Sequence, residues 1–111
     1  MSTKKQQGYV IEESYPRFFY PQMTPLWLTT VVNCLGFIAP CPQDQFAYLE
    51  LGCATGTNLL VCAATYPHAA FVGVDFNPSH IQAAQQSASA LGLSNVQFIH
   101  ADFAEFLAHN T

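Results

Sequence analysis

The stretch LELGCATGTN (residues 49–58) decides how this chain folds. It begins with an apolar run that is typical of a buried strand and that carries one acidic residue, Glu50. Three small residues follow in close succession, Gly52, Ala54 and Gly56. Glycine lets the backbone bend sharply and approach a ligand without a Cβ atom in the way. The pattern predicts a strand, a tight turn shaped to hold a ligand, and then a helix.

The same alternation of strand and helix continues along the rest of the sequence. Strands are predicted at FAYLELGC (46–53), AFVGVDF (70–76) and NVQFIHADF (95–103), and helices at TNLLVCAATY (57–66), SHIQAAQQSASAL (79–91) and AEFLAHN (104–110). This order is a βαβαβ unit of the α/β class. Nearly continuous apolar strands indicate a parallel sheet that is covered on both faces, a three-layer sandwich. Right-handed crossovers then place the strands in the order 3-2-1.

The region before the first strand has a different character. We predict a flexible aromatic arm at 1–23, a helix with its connection at 24–45, and the α/β domain at 46–111. Thr24 as N-cap and Pro25 at the first helical position begin the helix, and Gly36 ends it. The aromatic residues of the arm are predicted to pack, with the alternative that Tyr9 or Tyr15 folds over the turn as a lid.

Composition excludes several classes of protein. Half of the 111 residues are apolar, 9% are charged and the formal net charge is −4, which excludes disorder and provides no basic stripe for nucleic acid. The most apolar stretch is shorter than the roughly 20 residues of a membrane span. The start of the chain lacks the apolar core of a signal peptide. We therefore expect a cytoplasmic protein with no membrane contact and no direct nucleic-acid binding.

The cysteines and histidines do not form a metal-binding pattern. The cysteines at 34, 41, 53 and 62 have no CxxC spacing, and no histidine falls at a zinc-finger interval, so no metal site is predicted. Cys34 and Cys62 lie in apolar helical patterns and are expected to be buried, reduced thiols. His68 and His80 are expected at the surface, and His100 is expected to pack or to face a partner.

Three polar features fall at the carboxyl ends of the three predicted strands, where open α/β sheets bind ligands. The glycine-rich turn ends the first strand, Asp75 ends the second and Asp102 ends the third. The helix after the turn offers N–H groups and a partial positive charge that suit a carboxylate or phosphate. Asp75 can accept both hydroxyls of a ribose, and Asp102 can accept from an exocyclic amine. These groups indicate an adenosine-containing ligand with an anionic group near the turn.

Each acid also has a plainer interpretation. Glu50 could bond nearby backbone N–H groups, and Asp75 could serve the entry of the next helix. Asp102 and Glu105 have the spacing of a capping box.

The turn resembles one cofactor motif more closely than another. ELGCATG (50–56) matches acid-x-Gly-x-small-x-Gly and departs from the GxGxxG of dinucleotide sites. Residues 46–106 resemble the first half of a class I, Rossmann-like methyltransferase that depends on S-adenosylmethionine. The arm resembles the entry segment of bacterial methyltransferases that carry a regulatory domain.

The resemblance implies a role for each matching position. It places Glu50, Gly52, Ala54 and Gly56 under the methionine part of S-adenosylmethionine, with Cys53 in the same loop; Asp75 on the ribose; Phe76 on the adenine face; and Asp102 and the Phe103 N–H on the adenine edge. No catalytic residue is implied within this chain. The methyl acceptor is expected to be a small molecule or a protein.

A complete domain of this class has seven strands, and three are predicted here. We therefore expect an N-terminal fragment of a longer enzyme, inactive alone, whose open sheet edge allows association. Two alternatives stay open: a non-catalytic binding module or truncated remnant, and a half-domain that binds an NAD-type nucleotide.

Overall fold

The computed structural model describes residues 5–6, 9–10 and 18–109 and has the α/β fold that the sequence predicts. Its strands are β1 (Lys5–Gln6), β2 (Tyr9–Val10), β3 (Ala47–Leu51), β4 (Ala70–Asp75) and β5 (Val96–His100). Its helices are α1 (Pro25–Cys34), α2 (Thr57–Thr65), α3 (Pro78–Ala90) and α4 (Phe103–His109), and a 3₁₀ turn spans Pro21–Met23.

The main sheet is parallel, with strand order β3-β4-β5. Leu49 lies beside Val72, which in turn lies beside Gln97. Helix α2 connects β3 to β4 and helix α3 connects β4 to β5, so all three strands end at the same edge of the sheet. The predicted fold class and strand order are confirmed.

Helices α2 and α3 cover one face of the sheet and form the core. Leu59 of α2, Ala84 of α3 and the strand residues Phe71 and Phe98 are almost completely buried. Gly73 lies on this face, where an added Cβ atom would come within 2.7 Å of the Leu59 side chain. Its lack of a side chain lets α2 approach the middle strand closely.

The opposite face is less complete at β3. Among the described residues this strand pairs only with β4, and its Leu49 and Leu51 side chains are 46% and 40% exposed. The coverage of both faces that the apolar strands suggest is therefore not reached here. The prediction of an incomplete, three-stranded sheet with apolar side chains left uncovered at the first strand is confirmed.

Several predictions about single residues are wrong. Cys34 is exposed, because α1 lies at the periphery and buries little beyond Pro25. His80 is only 2% exposed and is one of the buried residues of α3, with Ile81 and Ala84. His68 is exposed as expected, and Cys62 is buried as expected.

Of the two helix caps predicted at Asn77 and Thr24, the first is confirmed and the second is wrong. Asn77 caps α3 as its Asn-Pro start suggests, since Oδ1 accepts from the N–H groups of Ser79 and His80 at 3.0 and 3.4 Å. Thr24 precedes α1 but makes no side-chain cap, because its hydroxyl donates to Pro21 O at 2.6 Å instead.

Three short elements lie within the described part of the arm. Strand β1 pairs antiparallel with β2, and residues 21–23 form the 3₁₀ turn. The lid predicted at Tyr9 or Tyr15 concerns side chains outside the described residues.

Within the described part of the chain, no helix is long and apolar enough to cross a membrane.

Candidate functional site

The glycine-rich loop after β3 folds back onto the end of β4. The N–H groups of Gly52 and Cys53 both donate to Val74 O, at 2.7 and 3.2 Å. The backbone φ angles of Gly52, Ala54 and Gly56 are 81°, 51° and 76°, in the left-handed region that favours glycine. The spacing of small residues therefore follows from a backbone path that larger side chains would oppose.

Gly56 also seats the loop against the core. A Cβ atom at this position would lie 2.5 Å from Cε1 of Phe98 and 3.2 Å from the Ala84 Cβ. Gly56 is the N-cap of α2 and has no side chain to cap the helix. The first turn of α2 thus presents its N–H groups and partial positive charge beside the loop.

Asp75 links the ends of β3 and β4. Its Oδ2 accepts from Ala54 N at 2.8 Å, and its Oδ1 accepts from Asn77 N at 2.9 Å. Each carboxylate oxygen can accept a second hydrogen bond, so these contacts are compatible with ribose hydroxyls as further donors. Asp75 therefore holds the loop in place at the position where the sequence predicts a ribose-binding acid.

Asp102 occupies the end of β5, next to Asp75. Its Oδ1 accepts from Ala104 N at 2.7 Å and from Glu105 N at 3.4 Å, so the capping role weighed from the sequence is present. Phe103 follows it, and the end of its ring is 3.7 Å from the place where a Gly52 Cβ would be. The segment that follows β5 thus packs against the loop that follows β3.

Phe76 begins the segment after β4. Its ring is paired with that of His100 at a centroid distance of 5.5 Å, and His100 Nε2 lies 3.0 Å from Phe76 O. His100 is exposed and lies at the end of β5, so these two rings flank the edge of the sheet where Asp75 and Asp102 lie.

Glu50 lies beside the loop in a cavity of about 320 Å³. Burial raises the pKa of its carboxyl group from 4.5 to about 7. The loop residues 52–55 form one side of this cavity, and Phe18, Tyr20 and Met23 of the arm form the other. The volume is at the lower end of the range for small-molecule sites and suits part of a cofactor.

Cys53 belongs to the same loop, and its side chain is buried. Burial, together with the carboxylates of Asp75 and Glu50, raises the pKa of its thiol to about 12. The thiol is therefore neutral and packs in the core. The described residues contain no cluster of three histidine, cysteine or acidic side chains that could hold a metal ion.

Sequence reasoning missed Asn58, which is 7% exposed in the first turn of α2. Its Oδ1 accepts from Tyr20 N at 2.5 Å, and its Nδ2 donates to Met23 O at 2.9 Å. The signal was available, since an asparagine inside the apolar run TNLLVCAA is a poor helix former that needs polar partners. The partners themselves lie 35 or more residues away in the chain.

A parallel α/β sheet with a glycine-rich loop after one strand and acids after the next two defines a domain that binds a nucleoside-containing cofactor. The methyltransferase domain family model matches residues 42–110. The chain belongs to this family of methyltransferase domains.

Two relatives show how much of a protein this chain represents. It is 38% identical over 101 residues to the uncharacterized protein sll1526 of Synechocystis, which covers 91% of this chain and 20% of that protein. It is 48% identical over 54 residues to a tRNA (guanine-N(7)-)-methyltransferase of Chloroflexus aurantiacus, which covers 49% of this chain and 24% of that enzyme. The chain thus spans about a fifth to a quarter of the length of these relatives.

A solved structure identifies the cofactor. PKMT2 from Rickettsia typhi in complex with AdoHcy superimposes with a TM-score of 0.73 and 30% identity, covering 79% of this chain and 17% of that one. AdoHcy, S-adenosylhomocysteine, is S-adenosylmethionine without its transferable methyl group. S-adenosylmethionine is therefore the cofactor of this fold and family, and the resemblance found in the sequence is confirmed.

Proposed function

We propose that this chain binds S-adenosylmethionine across the ends of β3, β4 and β5 and forms the cofactor-holding part of a methyltransferase. The observation that carries the proposal is the hydrogen bond from Ala54 N to Asp75 Oδ2, which brings the glycine-rich loop to the acid that we propose binds the ribose. The cofactor would supply an electrophilic methyl group on its sulfonium. The residues of this chain would bind and orient it and exclude water.

The proposal gives each part of the cofactor a position along the ends of the three strands. The proposal places the ribose on Asp75, the adenine amine on Asp102, and the adenine face and edge on Phe76 and the Phe103 N–H. The amino-acid end then extends over the end of β3. There, Glu50, Gly52, Cys53 and Ala54 line the cavity, and Gly56 supports the loop from behind.

This arrangement fits the group in its shape and polarity. At Gly52 an added Cβ would meet only the Phe103 ring at 3.7 Å, so the absent side chain leaves room above the loop. The start of α2 supplies partial positive charge where the carboxylate of the amino-acid end would lie. An NAD-type nucleotide fits less well, because Ala54 and Thr57 stand where GxGxxG has its second and third glycines.

The methyl acceptor is proposed to be a small molecule or a protein. A net charge of −4 with three basic side chains in the whole chain gives little attraction for a phosphate backbone. The similarity to a tRNA methyltransferase supports nucleic acid as the alternative. If the chain retains a labelled tRNA at low salt, nucleic acid would be favoured as the acceptor over a small molecule or a protein.

We also propose that the chain has no transferase activity alone and associates through the free edge of β3. Leu49 and Leu51 are exposed on that strand, and an unpaired strand edge is a template for pairing. Sedimentation velocity tests the proposed association. A concentration-dependent dimer is expected, and a strictly monomeric chain at high concentration would contradict it.

The binding site is tested by calorimetric titration of the 111-residue chain with S-adenosylhomocysteine, alongside Asp75→Ala and the control Asp44→Ala. Asp44 is an exposed acid in the connection before β3, outside the proposed site. Saturable binding is expected for the unchanged chain and the control and is lost in Asp75→Ala. Failure of a folded chain to bind, or equal binding by both variants, contradicts the site assignment. Stronger binding of NAD would favour the dinucleotide alternative.

A further inference from the structure

The 3₁₀ turn at Pro21–Met23 is held at both ends by one side chain. Asn58 Oδ1 accepts from Tyr20 N just before the turn, and Asn58 Nδ2 donates to Met23 O at its end. The turn is closed internally by Met23 N donating to Tyr20 O at 3.0 Å. The amide thus spans a complete turn, and its two bonds fix which end is oxygen and which is nitrogen.

A second contact strengthens the same attachment. The Tyr48 hydroxyl donates to Met23 O at 2.9 Å, so this carbonyl accepts from both β3 and α2. Burial and the Glu50 carboxylate raise the pKa of Tyr48 to about 12, so its hydroxyl remains a donor throughout the physiological range. The arm is therefore tied to the two elements that flank the glycine-rich loop.

This attachment determines where the aromatic side chains of the arm lie. Phe18 and Tyr20 pack edge to face at a centroid distance of 6.2 Å. Both line the 320 Å³ cavity whose opposite side is Glu50 and loop residues 52–55. The cavity is next to the end of β3, beyond Asp75 and on the side away from Asp102.

We propose that Asn58 is a positioning residue that fastens the arm against α2, so that Phe18 and Tyr20 form the outer wall of the pocket for the amino-acid end of the cofactor. The inference rests on the proposed function. In this proposal the arm contacts the amino-acid end of the cofactor, which Asp75 and Asp102 do not reach. Asn58 also lines the cavity, but both of its amide atoms bond to the arm, so it acts on the cofactor through the position of the arm.

The test compares two ligands that differ in one part. S-adenosylhomocysteine has adenine, ribose and the amino-acid chain, whereas 5′-methylthioadenosine has adenine and ribose with a methylthio group. Asn58→Asp keeps the size and the acceptor but loses the donor to Met23 O, and Asn58→Ala loses both bonds. A merely structural defect would weaken the two ligands equally.

Asn95 provides a matched control. Its Nδ2 donates to the carbonyls of Ala63, Tyr66 and Ala69, each at 3.0 Å, and so it also joins distant segments through one amide. It precedes β5, at the opposite end of the sheet from the cavity. Asn95→Asp should therefore cost stability without changing the affinity of the folded chain for either ligand.

For Asn58→Asp we expect binding of S-adenosylhomocysteine to weaken about tenfold, equivalent to about 1.4 kcal/mol, with methylthioadenosine unchanged. Amide hydrogen exchange at residues 18–24 should accelerate in both Asn58 variants and not in the control. The same split in Asn58→Ala, a smaller side chain without charge, would show that the added carboxylate is not the cause.

Three results would overturn the proposal. Equal weakening of both ligands would reduce Asn58 to a structural residue. Faster exchange of the arm with unchanged affinity would show that the arm is not a wall of the pocket, and unchanged exchange would show that Asn58 does not hold it. If the unchanged chain binds neither ligand, the proposed function fails as well, whereas the other results leave it intact.

Discussion

Replacing Glu50 by glutamine should stabilise the chain at pH 8 and have little effect at pH 5. Burial raises the pKa of this carboxyl group from 4.5 to about 7, so the folded chain binds its proton more tightly than the unfolded chain does. The stability that this preference contributes is complete below about pH 4.5 and is lost as pH rises through about 7. Glutamine has the same shape and cannot ionise.

The size of the effect follows from the shift. A rise from 4.5 to about 7 corresponds to about 3 kcal/mol between the two protonation states. Glu50 is only partly buried, and screening by solvent reduces this to roughly 1–2 kcal/mol. That is a large share of the stability of a domain of this size.

The assay is urea unfolding of the unchanged chain and Glu50→Gln at pH 5 and pH 8, followed by circular dichroism. The difference between the two proteins should be roughly 1–2 kcal/mol larger at pH 8 than at pH 5. Glu105→Gln, which removes a carboxylate from an exposed position in α4, controls for the change in net charge. A Glu50→Gln difference that is the same at both pH values, or larger at pH 5, would refute the reasoning.

Two further predictions concern the loop and the thiols. Gly56→Ala should lower the free energy of unfolding by about 2–4 kcal/mol, because its Cβ would lie 2.5 Å from Phe98 at a φ of 76°. Gly92→Ala, with a φ of 68° and no atom within 4 Å of the added Cβ, should lose only about 1–2 kcal/mol, and equal losses in urea unfolding would contradict the packing argument. A thiol-reactive dye should modify two cysteines in the folded chain, the exposed Cys34 and Cys41, and all four after unfolding. Rapid modification of Cys53 or Cys62, whose pKa values burial raises to about 12 and about 11, would show that the core opens easily.

The resemblance of the sequence to a known family indicated the cofactor, and the sequence by itself determined the α/β class, the strand order and a sharp turn for a ligand. These follow from local patterns: apolar runs of strand length, helices between them, and small residues spaced for a sharp turn at Gly52, Ala54 and Gly56. Asn77 and Asp102 were likewise foreseeable as helix caps, because a cap bonds N–H groups two or three residues away. Interactions of this range are encoded in the neighbouring residues.

The tertiary structure decided what depends on distant segments. His80 is buried and Cys34 exposed because burial is set by what packs against a helix, and the apolar pattern of α1 does not show that it lies at the periphery. The attachment of the arm by Asn58 joins residues separated by 35 and 38 positions, and no local pattern specifies such a pair. The raised pKa of Glu50 has the same origin, since the loop and the arm together take its carboxylate out of water.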